Sequence, residues 1–103
     1  MRSSTWKHAE LRIAAILGGR RVPITGRARG DQPDIEHAYL SLEVKHRKGI
    51  PKWLLTALDQ ADAAAIGTSK KSAVVLHLPG TPYNHSLVIM RLEDFALLTT
   101  KEQ

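Results

Sequence analysis

The sequence predicts a single domain of the α/β (α+β) class, with helices packed on a central mixed β-sheet. Three observations predict it. Apolar residues recur at helical spacing over residues 5–17 and 51–66. Two runs rich in β-branched and aliphatic residues, SAVVLHL at 72–78 and SLVIMRL at 86–92, are flanked by turn-forming residues. Shorter apolar and polar alternation fills residues 33–47.

The elements follow in order. Ser3, Ser4 or Thr5 caps a first helix that runs to about Leu17, where Gly18-Gly19 ends it. Residues 20–24 form a short strand. Residues 25–32 (TGRARGDQ) form a polar, basic, glycine-bearing loop. Residues 33–37 and 40–47 read as strands. Gly49-Ile50-Pro51 breaks the chain, and Pro51 suits the first turn of a second helix that reaches Ile66. A turn over 67–71 leads into the strand at 72–78. The loop at 79–84 (PGTPYN) then turns the chain into the strand at 86–92. A short helix at 93–98 closes the chain, with Glu93 and Asp94 at its positive end. The order is α-β-β-β-α-β-β-α. No repeat or linker interrupts it, so residues 1–103 read as one domain.

Composition narrows the chemistry. Hydrophobic residues make up 43 %, enough for a core and too many for global disorder. Cysteine is absent, which excludes disulfides, a thiol nucleophile and cysteine-bound zinc, and fits a reducing interior. No apolar run approaches the roughly 20 residues of a membrane helix. The first twenty residues do not read as a signal peptide, so a cytoplasmic location with no membrane partner is expected. Net charge is +5, and it is uneven. Residues 1–52 hold 11 Lys/Arg against 5 Asp/Glu, a balance of +6; residues 53–103 hold 4 against 5, a balance of −1. A basic first half suggests a face for a polyanion, nucleic acid first.

The densest chemistry lies at residues 33–45, Pro33-Asp34-Ile35-Glu36-His37-Ala38-Tyr39-Leu40-Ser41-Leu42-Glu43-Val44-Lys45. On a strand, Glu43 and Lys45 project to one side while Leu40, Leu42 and Val44 project to the other, into a core. If the two strands pair antiparallel around Ala38-Tyr39, Asp34 lies opposite Glu43, within about 4.5–5.5 Å. Two ionised carboxylates that close repel unless a cation separates them. Mg²⁺ takes such oxygen ligands together with water and substrate phosphate. Lys45 would then face the phosphate and stabilise developing charge. On the first helix, Glu10 falls within the stripe of Trp6, Ile13 and Leu17. A carboxylate there must be protonated, bound to a metal, or paired, for instance with an arginine.

Glu10, then Pro33-Asp34-Ile35, then Glu43-Val44-Lys45 resembles the PD-(D/E)xK nuclease superfamily, with its restriction-endonuclease-like fold. Within it the pattern is similar to the archaeal-type Holliday junction resolvases. Thr25-Gly26 stands where that family has Ser-Gly in a basic loop, and Gln60-Ala61 falls on the second helix as in the family. Leu11 follows Glu10 where the family has arginine, and only eight residues separate Asp34 from Glu43. The resemblance spans roughly residues 5–78. It implies a Mg²⁺-dependent endodeoxyribonuclease (Mn²⁺ able to substitute) that resolves four-way DNA junctions in recombination or repair by paired nicks. It implies metal ligation by Asp34, Glu43 and the Val44 carbonyl, with Glu10 assisting. Lys45 would act on the water or phosphate, Thr25 would touch the backbone near the cut, and Gln60 would orient Lys45 or a water.

Arg20, Arg21, Arg27 and Arg29 flank the loop, and His46, Arg47, Lys48 and Lys52 follow the Glu43 strand; these are the expected DNA-binding residues. Two symmetric nicks need two sites, hence a homodimer, with Leu87, Val88, Ile89, Met90, Phe95, Leu97 and Leu98 as the candidate interface. No phosphate-binding loop or dinucleotide fingerprint is present, so no organic cofactor is expected. The five histidines lack metal-ligand spacing, Trp53 and Phe95 read as core, and Tyr83 sits on a loop where it packs or stacks on a base. The alternatives are another repair or restriction-type nuclease of the superfamily, and a DNA-binding module of the same fold that does not hydrolyse.

Overall fold

The computed structural model describes residues 2–23 and 33–101. Its elements are α1 (Arg2–Leu17), β1 (Arg20–Arg21), β2 (Ile35–Glu36), β3 (Ser41–Leu42), α2 (Lys52–Ala65), β4 (Ala73–Leu76), β5 (Leu87–Met90) and α3 (Leu92–Lys101). A 3₁₀ turn, Tyr83–His85, precedes β5. The class is α+β, and the order of elements is the one the sequence predicts. The sheets differ from the expectation. All described strand pairs are antiparallel, in one three-stranded sheet (β1-β2-β3) and one two-stranded sheet (β4-β5), where one central mixed sheet was expected. The chain divides into two compact units, Met1–Lys48 and Gly49–Gln103.

In the first unit, α1 packs on β1 and β2. Its inward face carries Glu10, Ala14 and Leu17, all buried, with Trp6 and Ile13 half-buried. The helix ends on a Schellman turn. Gly18 adopts φ 77°, its N–H reaches the Ala15 carbonyl at 3.4 Å, and the Gly19 N–H reaches that of Ala14 at 2.9 Å. Gly19 is required for a second reason. A Cβ there would lie 2.6 Å from the Glu36 carbonyl oxygen and 2.8 Å from Ile35 Cγ2. This close approach sets α1 directly onto β2. The core it makes is small: Ala14, Ile35 and Val44, with Ile13 and Leu42 against it.

β2 and β3 pair with Ile35 opposite Leu42 and Glu36 opposite Ser41. Residues 37–40 turn the chain without glycine or asparagine. His37 substitutes for that turn chemistry. Its Nδ1 accepts the Tyr39 N–H at 3.3 Å, and its Nε2 lies 3.1 Å from the Leu17 carbonyl. One neutral tautomer, with the proton on Nε2, satisfies both bonds. The imidazole thereby ties the hairpin loop to the end of α1.

The β3 strand stops at Leu42, although the alternation predicted it to Arg47. The alternation itself is present: Glu43 and Lys45 are exposed, and Val44 is buried. What ends the ladder is Asp34, as described below.

In the second unit, α2 packs on β4, and β4 pairs with β5 from Ala73 opposite Met90 to Leu76 opposite Leu87. Pro51 stands at the cap of α2 rather than in its first turn, its carbonyl accepting from the N–H groups of Leu54 and Leu55. No residue of α2 is fully buried, and Trp53, expected in the core, is 53 % exposed. A two-stranded ribbon is only about 5 Å between strand axes and covers a narrow stripe of a helix, so the remaining apolar residues stay outside. α3 extends past the expected Leu98 to Lys101. The Thr99 hydroxyl bonds the Ala96 carbonyl at 2.9 Å, within the helix, instead of ending it.

Candidate metal and nucleic-acid site

Asp34 organises the hairpin. Its N–H donates to the Leu42 carbonyl at 2.8 Å, and its own carbonyl accepts from Val22 N–H at 2.9 Å. Its carboxylate Oδ2 accepts the Val44 N–H at 2.7 Å. That last bond satisfies a buried donor with a side chain, so the backbone ladder has no need to continue beyond Leu42. Asp34 is buried, as is Val44, so the bond is shielded from water. The residue singled out for its charge is also a structural brace.

The β2–β3 pairing ends with Ile35 opposite Leu42, and Asp34 N–H donates to the Leu42 carbonyl, so Asp34 and Glu43 lie just past the last paired position. Glu43 is exposed and pairs with Lys45, Nζ to Oε2 at 3.3 Å. Both side chains are about half in water, so the pair contributes little stability, about 0–1 kcal/mol. Asp34, Glu43, Val44 and Lys45 thus occupy one end of one hairpin.

Glu10 takes one of its three expected options: it is paired. Oε1 accepts from Arg21 Nε at 2.6 Å, with the two side chains 9 % and 16 % exposed. This also answers where Arg21 goes. Expected among the DNA-binding cations, it is turned inward to neutralise a carboxylate on α1. Among the described residues no three of His, Asp and Glu converge to hold a metal ion.

Arg20 lies directly across from Glu36 and bonds its carboxylate. That hydrogen bond, with the attraction of the same charge, raises the guanidinium pKa further above its ordinary value. Glu36 was not singled out from sequence. Its signal was available in the alternation Ile35-inward, Glu36-outward, but its partner depended on a register that sequence alone did not give. His46 lies near Trp6 of α1, ring centroids 6.2 Å apart and tilted 41°. Arg47 and Lys48 are exposed beside it. Thr25, Arg27 and Arg29 lie outside the described residues. Gln60 and Lys52 sit on α2 in the second unit, both exposed.

Charge separates with the two units. Residues 1–48 hold 10 Lys/Arg against 5 Asp/Glu, a balance of +5, and residues 49–103 hold 5 against 5. The whole net positive charge belongs to the unit that carries Asp34, Glu43 and Lys45.

A second polar cluster, unnoticed in the sequence, lies in the other unit. Arg91 grips Asp62 with two parallel bonds, 3.0 and 2.9 Å. Ser72 also bonds Asp62, and these two partners hold its carboxyl below the usual aspartate range, Ser72 contributing most. Asp62 and Arg91 are 29 positions apart in the chain, and no local pattern announces such a pair.

No protein-family model matches the chain, and neither a curated protein nor a solved structure matches it significantly. Among the described residues no helix is long and apolar enough to cross a membrane.

Proposed function

We propose that this protein is a Mg²⁺-dependent DNA endonuclease of the restriction-endonuclease-like type that resolves four-way junctions. The observation that supports the reading is the β2–β3 hairpin, where Asp34 and Glu43 flank the last paired residues, Ile35 and Leu42, and Lys45 is ion-paired to Glu43. The donor set fits a hard cation. Asp34 and Glu43 offer carboxylate oxygens and Val44 a carbonyl, and Mg²⁺ is commonly held by one or two carboxylates plus waters and phosphate. When bound there, Mg²⁺ would supply Lewis acidity and a more acidic water.

The protein's own groups do the rest. Asp34, braced on the Val44 N–H, holds its carboxylate in one orientation. Lys45, half exposed, trades its ion pair with Glu43 for a DNA phosphate and stabilises charge as the phosphodiester is cut. Water is the nucleophile, and the ends left are a 5′-phosphate and a 3′-hydroxyl. Arg20, His46, Arg47 and Lys48 of the basic unit engage phosphates without reading sequence. Arg21 acts indirectly, by keeping the buried Glu10 neutralised.

A homodimer would place two such sites on a two-fold substrate. The exposed apolar side chains of the second unit support it: Leu87, Val88, Leu97 and Leu98 of the expected interface are each about half exposed or more.

One observation favours a second reading, a DNA-binding module that does not cut: Glu10 is already matched by Arg21, and among the described residues no three His, Asp or Glu side chains converge on a metal position. Incubation with a synthetic four-way junction, a flap and a linear duplex, in Mg²⁺ and in EDTA, separates the readings. Junction nicking in Mg²⁺ alone supports the resolvase. Preferential cutting of flaps or ends reassigns the substrate. Binding without cutting supports the module.

A further inference from the structure

One feature outside the proposed metal site presents an open aromatic surface. It is the aromatic pair on the β4–β5 hairpin. The Tyr83 ring stacks on the His77 ring, centroids 4.5 Å apart and planes 25° apart. The tyrosine is nonetheless 83 % exposed. A ring that is stacked on one face and still largely in water has its other face open.

The ring is also held. His77 leaves β4, and its Nδ1 lies 3.3 Å from the Ser86 hydroxyl, which precedes β5. The imidazole backing the stack is therefore tied across the hairpin. Within the loop, Gly80 adopts φ 89° behind Pro79, and Thr81 N–H and its hydroxyl both bond the Leu78 carbonyl, at 3.2 and 2.7 Å. Pro82 then starts the 3₁₀ turn, closed by His85 N–H to Pro82 and Ser86 N–H to Tyr83, at 3.0 and 3.1 Å. Two prolines and this hydrogen-bonded turn fix the backbone on which Tyr83 stands. Ordering cost at the moment of binding is therefore low.

We propose that Tyr83, backed by His77, is a stacking platform for an unpaired nucleobase. Flat aromatic ligands stack offset on such a surface, and bases do so with little regard to sequence because each has a π-face. Single-stranded nucleic acid suits it better than an apolar peptide would, because Tyr83 presents one flat face on a stack two rings deep, and its loop neighbours Thr81, Asn84 and His85 are polar and exposed. The choice of ligand rests on the nucleic-acid reading above, but not on hydrolysis. Branched DNA presents unpaired bases at its branch point, so this platform deepens that reading by adding a base contact to the phosphate contacts of the basic unit.

The test is binding of fluorescein-labelled oligothymidylate, about a dozen nucleotides long, and of a blunt duplex of equal length, by anisotropy in EDTA with the full chain. Loss of one base stack on alanine substitution weakens single-strand affinity about 5- to 150-fold. Tyr83→Ala should show that loss while duplex binding stays within about twofold and the unfolding midpoint is unchanged. Tyr83→Phe should bind as wild type. A 2-aminopurine placed in the oligonucleotide should be quenched by wild type and Tyr83→Phe and not by Tyr83→Ala. Wild type that ignores oligothymidylate, or Tyr83→Ala that binds it as tightly as wild type or loses single strand and duplex equally, overturns the proposal. Because cleavage is absent in EDTA, the two ideas fail separately. Nicking of a junction in Mg²⁺ with no Tyr83 effect sinks the platform alone, and Tyr83-dependent binding without nicking sinks the nuclease alone.

Discussion

Removing the Asp34 side chain tests the brace that ends β3. In Asp34→Ala, the Val44 N–H loses its carboxylate acceptor, and Val44 and position 34 are 8 % and 6 % exposed, so water enters poorly. A hydrogen bond to a charged group contributes about 1.5–3 kcal/mol, and a stranded buried donor costs a similar amount. Asp34→Ala should therefore destabilise the first unit by about 2–3 kcal/mol. Asp34→Asn keeps an acceptor oxygen for the same N–H and loses only the charge, roughly half the bond's strength, so it should cost about 1 kcal/mol. The assay is urea unfolding read by fluorescence of Trp6, in a Trp53→Phe background so that the signal reports the first unit. The midpoint should fall with the slope unchanged. Alanine within about 0.5 kcal/mol of wild type, the range of an ordinary surface change, or asparagine as costly as alanine, refutes the reasoning.

Three further predictions follow from the same geometry. Arg21→Ala strands the Glu10 carboxylate in the core edge of α1 and should cost about 3–5 kcal/mol in the same assay; an unchanged midpoint would mean the pair is not buried in solution. Gly19→Ala should destabilise by at least about 1–3 kcal/mol, because its Cβ would strike backbone at Glu36. Gly49→Ala meets nothing within 4 Å and should be neutral or slightly stabilising; equal effects at both glycines would contradict the close approach of α1 to β2. Asp62 has its carboxyl pKa lowered by Ser72 and Arg91. Its folded pKa thus lies below its unfolded value near 3.9, so its contribution is present above that value and is lost as pH falls through the folded pKa. Wild type should exceed Asp62→Asn in stability at pH 7 and converge with it under acid; a gap that persists below about pH 2 would contradict this sign.

Local rules carried much of the fold. The Gly18-Gly19 stop, the apolar stripe with Glu10 inside it and the alternation through Glu43, Val44 and Lys45 were legible because each depends on neighbours in sequence. The hairpin pairing around Ala38-Tyr39 was only inferred, because that turn lacks glycine or asparagine, and it holds at Ile35 opposite Leu42 and Glu36 opposite Ser41. What sequence could not give was competition for hydrogen bonds. The Asp34 carboxylate replaced the ladder at Val44 and cut β3 to two residues, and His37 did the work of a turn glycine. Arg21 looked like its neighbour Arg20, yet one step of pleat sends it inward to Glu10 and leaves Arg20 outside on Glu36. The separation of strands into two sheets likewise depended on distant pairing, which local propensity does not encode.

The claim that Asp34 and Glu43 cooperate in cutting DNA meets its most direct test in Asp34→Asn, which preserves the acceptor for Val44 and removes the charge. With a labelled four-way junction in Mg²⁺, wild type should give symmetric nicks that EDTA abolishes, and folded Asp34→Asn should bind the junction but leave it whole. Nicking by Asp34→Asn at the wild-type rate, or an intact junction after prolonged incubation with wild type and Mg²⁺, would contradict the account.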